Sequence, residues 1–109
     1  MNAPDQISAS DLIGHWRATH GPLTIDWTFH GDGSFASKMT HGHSTLSNAT
    51  GRWSLAGVSL ISIYSNDSCG GIEAGYRDQD TVLEFSHDYF VIRTIGTGNR
   101  RYLRVSPEG

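Results

Sequence analysis

Apolar and polar residues alternate strictly from Leu23 to Phe29, and this alternation constrains the fold more than any other feature of the chain. Leu23, Ile25, Trp27 and Phe29 are the apolar members, and a polar residue stands between each pair. A period of two places successive side chains on opposite faces of a β-strand. The segment therefore predicts a strand with one buried face and one solvent-facing face.

A second alternating segment begins directly after Gly31-Asp32-Gly33, whose residues accept the positive φ angles of a tight turn. The two segments together predict an antiparallel hairpin. Its outer face would carry one opposite-charge pair, which favours this register over a slip of one residue. The predicted pairs are Phe29 with Phe35, Trp27 with Ser37, Ile25 with Met39, Leu23 with His41 and, on the outer face, Asp26 with Lys38.

Shorter strand-like segments occupy most of the remaining chain, and no long helical pattern interrupts them. Before them, Ser10 or Asp11 is predicted to cap a helical turn containing Leu12 and Ile13. Segments 41–50, 66–71 and 77–80 are interpreted as loops or frayed strand ends because they are rich in turn-forming residues. The predicted strands are 53–55 and 58–64 around Ala56-Gly57, a short one at 72–76, 81–85 and 89–95 around His87-Asp88, and, after a 96–99 connection, 101–105.

Strands at this spacing, joined by short turns, predict an all-β antiparallel up-and-down meander preceded by a short helical turn. A meander of about eight strands removes its exposed edges by closing into a barrel, and an open sandwich is the alternative. A chain of 109 residues supplies one core. We predict a flexible N-terminal tail at 1–9 and a single domain at 10–106.

Charge and composition exclude several classes of function. The net charge of −3 disfavours binding to nucleic acid or to an anionic membrane surface. Cys69 is the only cysteine, so no internal disulfide forms. The first residues lack the basic start and apolar run of a secretory signal, and no segment has membrane-spanning length. These features predict a cytoplasmic protein without nucleic-acid or membrane partners.

Gly14-His15-Trp16 stands at the start of the predicted β region, directly after the helical turn. It resembles the opening signature of lipocalins, and the later Asp32-Gly33 hairpin and Gly51-Arg52-Trp53-Ser54-Leu55 are similar to small bacterial lipocalin-like domains of the calycin type. The resemblance implies a small barrel whose tryptophan closes one end beneath an arginine from a late strand. Arg101 and Arg104 are the candidates for that arginine, with Arg93 third. It also implies an apolar small-molecule pocket open at the other end.

The predicted inner face is rich in aromatic residues but is interrupted by small or adaptable ones. Such gaps between aromatic walls favour a pocket, although side chains alone can fill a barrel of this size. The leading hypothesis is a barrel that binds a small apolar or aromatic molecule. Its predicted ligand-binding residues are Trp27, Phe29, Met39, His41, Trp53, Ser62 and Tyr64.

A barrel enzyme of the isomerase or cyclase type is an alternative hypothesis, because an interior acid or base can act on a substrate shaped by an aromatic cavity. The catalytic candidates are His41, His43, Glu73 and Tyr76. His41 and His43 would both point inward, and a metal there would need a third ligand such as Glu73, Asp67 or His20. No complete ligand set is apparent, so we predict no metal and no cofactor.

A protein-interaction or homodimerisation module is a third hypothesis. Apolar residues on an outer sheet face can mark such an interface. The predicted strands place Ile61, Ile63, Val82 and Val91 on the outer face.

Overall fold

The structure is a computed structural model that describes residues 7–94 and 98–107. Eight antiparallel strands follow one another around a closed barrel, and β8 pairs with β1 to complete it. The predicted up-and-down meander is confirmed, and closure rules out the open sandwich. The elements are α1 (Ala9–Leu12), β1 (Gly14–His20), β2 (Leu23–Phe29), β3 (Ser34–His41), β4 (Ser44–Ala56), β5 (Ser59–Asp67), β6 (Arg77–Phe85), β7 (Tyr89–Thr94) and β8 (Gly98–Ser106).

The short helix begins one residue before the predicted cap at Ser10. Ser8 is the residue that precedes it, and both the backbone N–H and the hydroxyl of Ser8 donate to the Asp11 carboxylate, at 3.0 and 3.1 Å. Ile7 packs against the core. Ile7 and Ser8 thus contribute to the fold although the sequence placed them in the tail, and residues 1–6 lie outside the described residues.

The β2–β3 hairpin has the predicted register at every position, from Phe29 opposite Phe35 to Leu23 opposite His41. Asp26 lies opposite Lys38, but its carboxylate contacts side chains of β1, the other strand beside β2. His15 Nε2 and Arg17 Nε both lie 2.8 Å from Asp26 Oδ1. The charge pair that supports this part of the sheet therefore joins β1 to β2.

Two of the predicted loops are wrong because they form strands. Segment 41–50 was expected to be a loop or frayed end, yet β4 starts within it at Ser44 and has 13 residues in all, and only positions 42 and 43 form a turn. Its inward residues Ser47, Ala49 and Gly51 are small and carry no apolar signal. A Cβ atom on Gly51 would meet the Phe35 ring at 2.7 Å. The packing thus requires the small residue at Gly51.

The predicted strand at 72–76 is also wrong, since these residues belong to the β5–β6 loop. β6 starts at Arg77, so the predicted loop at 77–80 is a strand whose inward residues are Asp78 and Asp80. Ile95 and the 96–97 part of the predicted connection lie outside the described residues.

A bulge in β6 changes which later residues face the core. Val82 pairs with Ile92, Glu84 pairs with Val91, and the register shifts between them. A bulge adds one residue to a strand, so Val82 and Phe85 both pack on the core. The outward placement of Val82 is therefore wrong: it is 2% exposed. Ile63 is exposed as predicted, whereas Val91 is buried.

Trp16 closes the end of the barrel beside α1. Its indole N–H donates to the Leu12 carbonyl at 2.9 Å, and the Arg104 guanidinium lies 4.1 Å from the centre of its ring system. Arg104, one of the two leading candidates, is thus the late-strand arginine. Gly14 has φ +138°, and a Cβ atom there would lie 2.7 Å from the Arg104 guanidinium. The glycine two residues before the tryptophan makes room for the arginine.

Among the described residues, no helix combines the length and apolar character needed to cross a membrane.

Candidate functional site

The barrel interior is divided into a packed half and an open half. Around Trp16, rings meet edge to face or tilted, including Phe90 at 4.7 Å, and Phe29 contacts Trp53 at 4.9 Å. These rings are almost fully buried, so the half of the barrel beside α1 has no room for a ligand.

A cavity of about 1070 Å³ occupies the opposite half, beneath the loop between β5 and β6. Trp27 and Tyr102 form the boundary between the two halves. Their rings lie 5.4 Å apart, Trp27 contacts Phe29 at 4.7 Å, and Tyr102 stacks on Phe90 at 5.2 Å. Both residues also line the cavity. The packed half therefore provides the cavity with a rigid aromatic floor.

The cavity wall has an apolar side and a polar side. Ile25, Met39 and Ile92 project from β2, β3 and β7, where period-two alternation turns them inward. The polar side comes from β5, β6 and β8. Its members are Tyr64, Asp78, Asp80 and Arg100.

The loop at 68–76 is fastened over the cavity by Asp67. This carboxylate accepts hydrogen bonds from the backbone N–H groups of Asn48, Cys69, Gly71 and Ile72 and from the Ser47 hydroxyl, at 3.0–3.2 Å. The amide of Asn48 and the other donors hold the pKa of Asp67 below its usual range. A carboxylate with this many donors stays ionised, so it fixes the loop whose residues 71–76 line the cavity.

Asp80 is the most deeply buried charged group of the cavity, with 3% of its surface exposed. Burial, followed by the neighbouring Asp78 carboxylate, raises the pKa of Asp80 to about 6, against the opposing effect of Arg100. Asp80 can therefore gain or release a proton close to neutral pH. No hydrogen bond or salt bridge reaches its carboxylate within the described part of the chain.

Two tyrosines border the same polar region. Burial raises the pKa of Tyr102 to about 12, although a hydrogen bond with Arg100 acts in the opposite direction. Burial also raises the pKa of Tyr64, and Asp78 adds to this effect. Both phenols remain protonated at neutral pH, so they offer O–H donors beside an aromatic surface.

The structure brings together five of the residues predicted from sequence. Trp27, Met39 and Tyr64 line the cavity, and so do Glu73 and Tyr76 from the loop. The Tyr76 ring lies 5.8 Å from that of Tyr64. Glu73 and Tyr76 are exposed, at the solvent side of the cavity.

The other five predicted site residues do not line the cavity. Phe29 and Trp53 lie in the packed half, where the Trp53 indole donates to the His30 carbonyl at 3.1 Å. Ser62 is completely buried, and its hydroxyl has no partner among the described residues. His41 ends β3 opposite Leu23, and His43 lies in the following turn; both are exposed, and neither lines the cavity.

Sequence reasoning missed Asp78, Asp80, Arg100 and Tyr102. The first two lie in a segment interpreted as a loop because Arg77-Asp78-Gln79-Asp80 is entirely polar. Asp78, Asp80 and Val82 are spaced two residues apart, and this alternation could have identified the strand. No group of three His, Cys, Asp or Glu side chains within residues 7–94 and 98–107 is arranged to hold a metal ion.

No protein-family model matches the sequence. No curated protein sequence matches it either. Among solved structures, a lipocalin-like protein from Bacteroides uniformis superposes on this barrel with a TM-score of 0.63 at 18% sequence identity, over 86% of this chain and 98% of the other. The resemblance predicted from the sequence is confirmed at the level of the fold.

Proposed function

We propose that this chain, whose fold is the lipocalin-like barrel, binds a small apolar or aromatic molecule in the cavity beneath the 68–76 loop. The observation that carries the proposal is the division of the interior. One half is packed with aromatic rings, and the other keeps a cavity of about 1070 Å³. Ligand sites commonly have volumes of roughly 300–1,000 Å³.

The wall chemistry supports an apolar or aromatic ligand. Trp27 and Tyr102 contribute aromatic surface, and Ile25, Met39 and Ile92 contribute aliphatic surface. Met39 is unbranched and adapts to different ligand shapes. Burying an apolar ligand against these groups gains about 25 cal/mol for each Å² removed from water.

The test is a titration with 4-phenylbutan-1-ol, followed by tryptophan fluorescence excited where this alcohol does not absorb. We expect saturable quenching because Trp27 forms the cavity floor. Ser37→Phe places a ring inside the cavity and is expected to abolish the response. Ser54→Phe makes the same change at an exposed position of β4 and should leave binding unchanged.

Equal binding by wild type and Ser37→Phe would contradict the proposal, as would loss of binding in both variants. Circular dichroism would establish that each variant is folded.

Catalysis by an interior acid or base is the second candidate function, and one observation favours it. Asp80 has a pKa of about 6 and lines the cavity, so it is matched to proton transfer near neutral pH. Asp80 replaces the exposed His41 and His43 as the group that would carry this role. Glu73 and Tyr76 remain candidates at the cavity's solvent side.

Proton abstraction can be tested without a known substrate. A carboxylate base would exchange the α-protons of 4-phenylbutan-2-one for deuterium in D₂O, a change that proton NMR follows directly. Exchange above the buffer rate that disappears in Asp80→Asn would support catalysis. Exchange at the buffer rate, with the ketone bound, would leave binding as the function.

A further inference from the structure

We propose that the ligand carries a protonated amine on its apolar or aromatic body, and that the Asp80 carboxylate is the counterion of this amine. The inference rests on the proposed function, since it assigns a chemical class to the ligand of the same cavity. It is motivated by a buried carboxylate that forms no hydrogen bond or salt bridge within the described part of the chain.

Asp80 lies inward on β6, directly opposite Leu60 of β5, and lines the cavity. Only 3% of its surface is exposed, yet it forms no hydrogen bond or salt bridge within residues 7–94 and 98–107. Burying an unpaired carboxylate costs several kcal/mol in general, so such groups are normally paired. A partner that enters from the cavity would remove this cost.

The charge balance of the wall favours a cation as that partner. Three carboxylates line the cavity, from Glu73, Asp78 and Asp80, against the two guanidinium groups of Arg77 and Arg100. The difference, three negative minus two positive, leaves one negative charge. Among the arginines, Arg77 is exposed, and Arg100 offsets the raised pKa of Asp80 only in part. An anionic ligand would be repelled by the carboxylates of both Asp78 and Asp80.

The surroundings of Asp80 also suit the rest of such a molecule. Trp27 and Tyr102 line the cavity, and aromatic rings attract a protonated amine. Ile25, Met39 and Ile92 provide the apolar wall for the remainder of the ligand. The raised pKa of Asp80 is in line with this assignment, because the opposing effect of Arg100 does not offset burial and the neighbouring Asp78 carboxylate.

The test compares three probes that share one skeleton: 4-phenylbutylamine, 4-phenylbutan-1-ol and 4-phenylbutyrate. Isothermal titration calorimetry at about pH 7.5 gives the dissociation constants of the three probes. We expect the amine to bind about tenfold more tightly than the alcohol, a difference of about 1.4 kcal/mol, and the carboxylate to bind most weakly. In Asp80→Asn the amine and the alcohol should bind within about twofold of each other, while the affinity for the alcohol is retained.

Asp32→Asn is the matched control, since it makes the same substitution at an exposed residue of the β2–β3 turn that does not line the cavity. This variant should keep most of the preference for the amine. Binding of the alcohol with no preference for the amine would overturn the inference while leaving the proposed function intact. A preference that survives Asp80→Asn would also overturn it. Failure of all three probes to bind would refute the proposed function and the inference together.

Discussion

Replacing Arg104 tests whether the closed end of the barrel depends on one guanidinium. Arg104 lies 4.1 Å from the centre of the Trp16 ring system. Its Nη1 and Nη2 atoms donate to the carbonyls of Ile13 and Asp11, both at 3.1 Å, and its Nε donates to the carbonyl of His87. The side chain thus joins β8 to the segment around α1 and to the β6–β7 turn.

The expected loss can be summed from these contacts. A partly desolvated cation–π pair contributes about 0.5–2 kcal/mol. Three hydrogen bonds from a charged but partly exposed donor contribute about 0.5–1 kcal/mol each, below the value for buried pairs. Arg104→Met keeps much of the aliphatic stem and removes all four interactions. We expect it to lower the free energy of unfolding by about 2–5 kcal/mol, which corresponds to roughly 10–25 °C in Tm for a domain of this size.

Urea denaturation followed by circular dichroism measures this loss. Arg104→Lys keeps the charge but not the planar group, and we expect it to recover less than half of the lost stability. Arg101→Met is the matched control, because Arg101 is an exposed residue of the same strand whose guanidinium lies 4.6 Å from the centre of the Tyr89 ring. A loss below about 0.5 kcal/mol in Arg104→Met, or an equal loss in Arg101→Met, would refute the reasoning.

Three further substitutions test the interior and the loop. The pKa of Asp80 is raised to about 6, so the folded state binds more protons than the unfolded state between about pH 4 and 6. The free energy of unfolding therefore falls as pH rises through that range. Asp80→Asn should remove this fall and have a higher urea midpoint than wild type at pH 7. Gly51→Ala, whose Cβ would lie 2.2 Å from a backbone oxygen, should cost about 1–3 kcal/mol in urea unfolding, against less than about 0.5 for Gly31→Ala. Because the pKa of Asp67 is lowered, its contribution to the free energy of unfolding is present at neutral pH and is lost as pH falls into the acid range. Asp67→Asn should accelerate amide hydrogen exchange in segment 68–76. Unchanged urea midpoints or exchange rates would contradict the respective assignments.

The sequence predicted the fold best where large apolar residues alternate around an unambiguous turn. The β2–β3 register followed from the positions of Trp27 and Phe29, because a slip of one residue would expose both rings. β4 was missed in part because its inward positions carry serine, alanine and glycine, which have no apolar signal of their own. At Gly51 the small size is explained by the Phe35 ring on the neighbouring strand, and this information is not local in the sequence.

The site was less predictable than the fold for a related reason. An inward-facing residue can lie in the packed half or beside the cavity, and alternation does not distinguish the two. Trp27 and Phe29 share one face of β2, yet only Trp27 lines the cavity. Asp80 was missed because an acidic residue has no apolar signal, even when it is buried, and was therefore predicted to lie in a loop. The residues that interrupt the apolar pattern, Asp78 and Asp80, belong to the polar side of the cavity wall.

The most direct test of the central claim is the location of a bound probe. Isotope-filtered NOE spectra of the labelled protein with 4-phenylbutan-1-ol would report which methyl groups contact the phenyl ring. We predict contacts to the methyl groups of Ile25, Met39 and Ile92, which line the cavity from three strands. Contacts confined to the exposed outer-face residues Leu103 and Val105, with none to Met39, would contradict the account.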